Sequence, residues 1–282
     1  MKTTIQNEFL KVKINHKGAE LGSIDKDGQN HIWEINPNFW DKTSPILFPI
    51  VGVLKNNSFE FDGKKYELPR HGFAREKEFE VVSKTENSAK FSLKYNEGTL
   101  QIYPFKFTLN IEYKLSLNRL IIKYTVINTS SEKMYFSVGA HPAFSIDGDI
   151  ENYSLAFDNS TDLTSYKLRD NLFSGETKKI RLNGKILPLN YSIFAEDAIV
   201  LKNSETSSLT LLKNDIPQLK VSFPDFPYLG IWTKKDAPFI CIEPWLGIAD
   251  HHDVSGKIKE KEGIQILDVD SEMSVEWSVE IF

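Results

Sequence analysis

Apolar residues in this chain come in short runs, and helical spacing is sustained almost nowhere. Nearly every run is about four to ten residues long and ends at Gly, Pro, Asn or Asp. Such runs, alternating in polarity, predict strands, because a helix needs apolar positions recurring every third and fourth residue. Phe107, Leu109, Ile111, Tyr113 and Leu115 share one side of a predicted strand over residues 105–115. Asn118-Arg119 turns it into a partner over residues 120–127. Asp62-Gly63 between two alternating runs is a hairpin signal. Residues 5–14 read as one first strand, residues 31–33 as another, and residues 45–53 as an irregular apolar segment. The one short helical turn falls around residues 191–196. The tail closes with strands over residues 263–267 and 273–281. Many short strands with no Ser/Gly-rich linker and no internal repeat predict an all-β chain. The architecture expected is one large antiparallel β-sandwich domain over residues 1–282.

Composition narrows the partners. The chain has 282 residues, 40% hydrophobic, and a net charge of −5 without a long basic block. Nucleic acid and anionic membrane are therefore not expected partners. Cys241 is the single cysteine, so no internal disulfide is expected. Residues 1–14 alternate and lack a signal-peptide core. No run approaches the roughly 18 apolar residues of a membrane helix. A reduced, cytoplasmic setting follows as the expectation.

The chemistry-bearing residues are few. There is no glycine-rich phosphate loop, no cysteine pair for zinc and no Gly-x-Ser-x-Gly elbow, which leaves histidines and carboxylates. Phe239-Ile240-Cys241-Ile242-Glu243-Pro244-Trp245 reads as a buried strand carrying one carboxylate. Phe239, Cys241 and Glu243 share a face, and Glu243 is expected at the strand's end, before the proline. A structural Glu held by backbone or arginine and a general base tuned by partial burial are both open. Cys241 reads as a small buried filler. His141 precedes Pro142, which biases it to extended backbone. His71 lies in the compact loop Pro69-Arg70-His71-Gly72-Phe73-Ala74-Arg75. Each is either a satisfied histidine or an acid–base group with a reference pKa near working pH. Asp250-His251-His252-Asp253 lacks ligand spacing, because neighbouring side chains on extended backbone diverge, and no metal is expected there.

Ala140-His141-Pro142-Ala143-Phe144, His71-Gly72-Phe73 and Cys241-Ile242-Glu243-Pro244-Trp245, in an all-β setting, resemble the aldose 1-epimerase (galactose mutarotase) family. Gly18-Ala19-Glu20-Leu21 and the run from Pro45 to Gly52 are similar to its LacX-type branch. The likeness runs from about residue 5 to the end. It implies a β-supersandwich with a shallow sugar cleft and a cofactor-free, metal-free aldose 1-epimerase. Glu243 matches the family's catalytic glutamate, His141 its His-Pro histidine and His71 its second histidine. Asp197 matches a sugar-binding aspartate, with a surface Asp capping a turn as the other reading. The substrate implied is a small sugar or sugar phosphate; oligomeric state is left open.

Two departures bear on the substrate. Lys55 stands nearest to the family's arginine before the histidine loop, and lacks its bidentate fork. The loop from His71 to Arg75 resembles that of hexose-6-phosphate 1-epimerases, where arginine meets phosphate. Arg70 and Arg75 either bind phosphate or pair with Glu76, Glu78 and Glu80. Free hexose and hexose 6-phosphate both stay open. So does a sugar-binding module that does no chemistry. A β-sandwich lyase or hydrolase is disfavoured, since no second candidate carboxylate stands out.

Overall fold

The computed structural model describes residues 1–159, 162–203 and 205–282. Two sheets dominate. The larger has nine strands, in the order Ile186–Pro188, Tyr153–Phe157, Ser208–Lys213, Ile216–Ser222, Glu272–Ile281, Arg119–Asn128, Phe107–Ser116, Ser88–Lys94 and Glu80–Lys84. The smaller has six. Its path runs Ile199–Lys202, Tyr228–Trp232, Phe239–Leu246, Val138–Ala140 and Ile46–Leu47, with Ala143–Ser145 also pairing to Phe239–Leu246. The sheets share one core. Phe107, Leu109 and Ile111 from the large sheet join Ile240, Ile242, Leu229 and Ile231 from the small one, all essentially buried. Each such side chain contributes roughly 1.5–3 kcal/mol by leaving water. The fold is the expected β-sandwich. No helix among the described residues is long and apolar enough to cross a membrane.

Several expected elements differ. The run over residues 5–14 is two strands, Lys2–Gln6 and Lys11–Asn15, paired antiparallel. Asn7 breaks it, its Oδ1 accepting the Phe9 and Leu10 N–H groups at 2.9 and 2.8 Å. The strand expected over residues 31–33 is shifted to Gln29–Asn30. A helix over Glu97–Ile102 stands where none was expected. It is held by a capping box in which Asn96 and Thr99 exchange side-chain to backbone bonds, a local device that can start a turn without an apolar stripe. Leu172–Arg181 is an unexpected strand, mostly exposed and polar. It pairs with Asp162–Arg169 as a hairpin turned by Asp170 and Asn171, whose φ values are 52° and 65°.

The site depends on the strand Phe239–Leu246. Ile240, Ile242 and Leu246 face the inter-sheet core, while Phe239, Cys241 and Trp245 belong to apolar clusters on the other face. Glu243 lies in mid-strand, not at its end, because the strand continues through Pro244 to Leu246. A proline is tolerated inside a sheet only where no partner needs its N–H. Here the neighbour on one side is interrupted: Val138–Ala140 pairs up to Gly139↔Trp245, and Ala143–Ser145 resumes at Ala143↔Cys241. Both segments keep one register across the gap. His141 therefore stands opposite Glu243 in the gap.

Candidate active site

The outer face of the small sheet floors a cleft of about 630 Å³. Its lining includes His71, His141, Glu243, Arg70, Arg75 and Asp197. His141 Nε2 lies 3.2 Å from Glu243 Oε2, as their cross-strand placement dictates. Both are nearly buried, at 8% and 2% exposure. Burial pushes the Glu243 carboxyl up to about 8, against the Arg70 guanidinium and the Trp245 indole N–H, which pull it down. Burial pushes His141 down to about 3, helped by Arg70 and Arg75. Between those values the pair holds one proton, the composition a group needs to give and take a proton in the same step.

His141 is held by aromatic rings. Trp40 lies tilted against it with centroids 4.7 Å apart and planes 31° apart, and Trp232 meets it edge-on at 6.0 Å. His71 approaches edge-on at 5.8 Å. The His71 loop is locked to the irregular apolar segment. The His71 N–H donates to the Gly52 carbonyl at 2.8 Å, and the Phe73 and Ala74 N–H groups donate to the Phe48 carbonyl at 3.0 and 3.1 Å. His71 Nδ1 accepts the Gly52 N–H at 3.0 Å. Arg70 Nε donates to His71 Nε2 at 3.1 Å, so an N–H donor faces each ring nitrogen. Burial, then the charges of His141, Arg70 and Arg75, hold His71 well below the usual imidazole value.

Arg70 and Arg75 make no ion pair within 4 Å among the described residues. Glu76, the nearest expected partner, is held by Lys17 at 2.7 Å and Lys42 at 2.8 Å. Arg75 Nη2 donates to the Arg70 carbonyl at 2.9 Å, and Arg70 Nη1 to Asn171 Oδ1 at 3.0 Å. Asp197 lines the cleft, and its Oδ1 accepts the Ala198 N–H at 2.7 Å. Lys55 is outside the cleft lining, contrary to expectation. Its N–H donates to Asp250 Oδ2 at 2.9 Å and its Nζ to the Val254 carbonyl at 3.4 Å. Asp250 is bound on its other oxygen by buried Lys261 at 2.6 Å, so this corner is a structural anchor. The guanidiniums that line the cleft are those of Arg70 and Arg75.

The possible metal donors can be named. His141, Cys241 and Glu243 offer donor atoms within 4.8 Å of one another, the one such cluster among the described residues. Burial, with the Glu243 charge, pushes the Cys241 thiol well up, and a protonated thiol is a poor ligand. His251 and His252 diverge, one to Glu262 at 2.7 Å and the other to the Arg169 carbonyl at 3.1 Å.

Residues 1–262 match the model of the family described as aldose 1-epimerase. The chain belongs to the aldose 1-epimerase family. It is 34% identical to the plasmid-encoded protein LacX of Lactococcus lactis subsp. lactis, over 96% of each chain. It is similar to the solved structure of a galactose mutarotase related enzyme from Lactobacillus acidophilus, at 33% identity and TM-score 0.93, over 100% of this chain and 97% of that one. A galactose mutarotase-like protein from Lactobacillus casei matches at 31% identity and TM-score 0.93, over the whole of both chains.

Sequence reasoning missed part of the wall of this aldose 1-epimerase family cleft. Trp40, Trp232, Asn171 and Phe173 all line it. Trp40 lies in residues 36–42, which read as a loop or a single helical turn, and a half-buried tryptophan in such a segment is the available signal. Asn171 and Phe173 belong to the polar hairpin, whose sequence carries no periodicity to find.

Proposed function

We propose that this chain catalyses anomer exchange of an aldohexose, such as galactose or glucose, by opening and reclosing the hemiacetal ring. The reading takes the chain as one domain acting in the cytoplasm, with no cofactor. The observation that carries it is the buried His141–Glu243 pair at 3.2 Å on the floor of the cleft. Glu243 takes the proton of the C1 hydroxyl while His141 gives one to the ring oxygen, and the bond from C1 to that oxygen breaks. The free aldehyde turns about C1–C2. The ring recloses on the other face with both protons returned. The proton count of the pair is the same before and after, so nothing is consumed. Because burial favours the proton on Glu243, the 3.2 Å contact is also the path by which it reaches His141 before the ring opens. His71 and Asp197 orient the sugar hydroxyls.

A 6-phosphorylated hexose is the second reading. It is favoured by Arg70 and Arg75, two guanidiniums in the cleft lining with no carboxylate partner within 4 Å among the described residues. Planar donors of this kind match phosphate oxygens.

NMR saturation transfer on galactose, glucose and their 6-phosphates tests both. Accelerated exchange of the free sugars, abolished in His141→Asn, is the expected result. If only the phosphates are accelerated, and Arg75→Ala suppresses that, the second reading replaces the first. Sugar binding without acceleration of any exchange would leave a binding protein and overturn both.

A further inference from the structure

Trp245 follows Glu243 by two positions on Phe239–Leu246, so both side chains leave the same face of the sheet and both line the cleft. The indole does not stand clear of the sheet. A Cβ on Gly139 would lie 2.8 Å from Trp245 Cδ1, and one on Gly230 would lie 2.5 Å from Cζ2 and 2.6 Å from Cη2. Gly139 pairs with Trp245 on one side of the strand, and Gly230 pairs with Glu243 on the other. The ring therefore crosses the strand, from beside residue 245 to beside residue 243, over backbone that both neighbours leave bare. Nε1 is bonded to Cδ1 and Cε2 and so lies on that path. It is buried and completes no hydrogen bond among the described residues, and the same holds for Glu243 Oε2. A buried donor beside a buried carboxyl oxygen whose 3.2 Å contact with His141 Nε2 completes no hydrogen bond is a costly arrangement unless donor and oxygen meet at some stage of the working cycle.

We propose that Trp245 is a positioning residue for Glu243, its indole N–H aligning and holding the ionised carboxylate against the C1 hydroxyl of the sugar. This rests on the reading of Glu243 as a proton carrier. The indole is already near enough to pull the Glu243 pKa down against burial, though not aligned to complete the bond. The other groups facing Glu243 are His141 at 3.2 Å, the Arg70 guanidinium, the Asp197 carboxylate and the Cys241 thiol. Arg70 favours the ionised carboxylate and Asp197 opposes it. Unlike His141, the indole keeps its N–H at every working pH, so it can hold the carboxylate without competing for the proton.

The test is a pH titration of the full chain by NMR, with 15N in the tryptophans and 13C at the glutamate carboxyls. The Trp245 and Glu243 signals are assigned by their loss in Trp245→Phe and Glu243→Gln. The indole N–H resonance is expected to move with the midpoint of the Glu243 carboxyl, and to stop moving in Glu243→Gln. In Trp245→Phe the Glu243 midpoint should rise by about one pH unit. The alkaline limb of kcat for glucose and galactose should follow it, with kcat falling more than KM rises. Gly230→Ala, which displaces the ring but keeps its N–H, should move the midpoint the same way. An indole resonance indifferent to pH, or an unchanged Glu243 midpoint in Trp245→Phe, overturns the proposal. Because the titration needs no turnover, a responsive indole without anomer exchange would overturn the functional reading and leave the contact standing.

Discussion

Glu243 is easier to fold around as an acid than as an anion. Its carboxyl lies at about 8 in the fold against an ordinary 4.5, because burial penalises the charge. The native state therefore holds this proton more tightly than the unfolded chain does. The resulting stability is complete below about pH 4.5 and is lost as pH rises through about 8. Glu243→Gln removes that loss. Calorimetry at pH 9 should find the variant melting higher than the wild type, with no difference at pH 4. The same variant should lose about 10²- to 10⁴-fold in exchange rate. A variant exchanging at the wild-type rate would remove Glu243 as the proton carrier. His141 has the opposite sign: its imidazole, depressed to about 3, contributes stability above its ordinary 6.5 that is lost as pH falls toward 3. In the proposed mechanism the singly protonated pair is the working form, so kcat/KM is expected to decline as pH passes about 8. The residue types were legible in the sequence. Their convergence was not, because it depends on a strand register that no local pattern encodes.

At the scale of elements, the loop that carries His71 is the most exacting part of the site. His71 and Gly72 both adopt left-handed backbone, with φ of 65° and 70°. A Cβ on Gly72 would meet the Phe48 carbonyl oxygen at 2.2 Å. Gly72→Ala should therefore cost at least about 1–3 kcal/mol in backbone strain alone, before the clash is counted. Thermal denaturation should show a lowered midpoint, and anomer exchange should fall because His71 is displaced with the loop. A variant with an unchanged midpoint would mean that the Phe48 segment yields more easily than its hydrogen bonds suggest. Gly and Pro marked this loop as a turn in the sequence. The cost of filling Gly72 comes from a segment about twenty residues away, which sequence spacing does not reveal. Pro244 is similar: its meaning comes from the gap between Val138–Ala140 and Ala143–Ser145. The six-residue helix and the polar hairpin escaped because one is set by a cap and the other by pairing, and neither needs an apolar period.

For the whole molecule, the last strand is structurally central. Glu272–Ile281 lies between Ile216–Ser222 and Arg119–Asn128 in the middle of the nine-stranded sheet. Trp277 is buried there, and its Nε1 donates to Tyr124 Oη at 2.9 Å. Removing residues 272–282 would part the sheet and uncover two apolar strands. The truncated chain should be insoluble or should lack a cooperative thermal transition, which expression and calorimetry would reveal; a stable, soluble truncation would contradict this account. The sandwich itself was legible because alternating runs bounded by turn residues recur through most of the chain. The same architecture settles how the cleft can be observed. Of the five tryptophans, Trp40, Trp232 and Trp245 wall the cleft, whereas Trp277 belongs to the nine-stranded sheet and is outside the lining. The walls of the cleft are thus its own fluorophores. A sugar settling against them changes the polarity around three emitters at once, so occupancy becomes visible in intrinsic emission without any label.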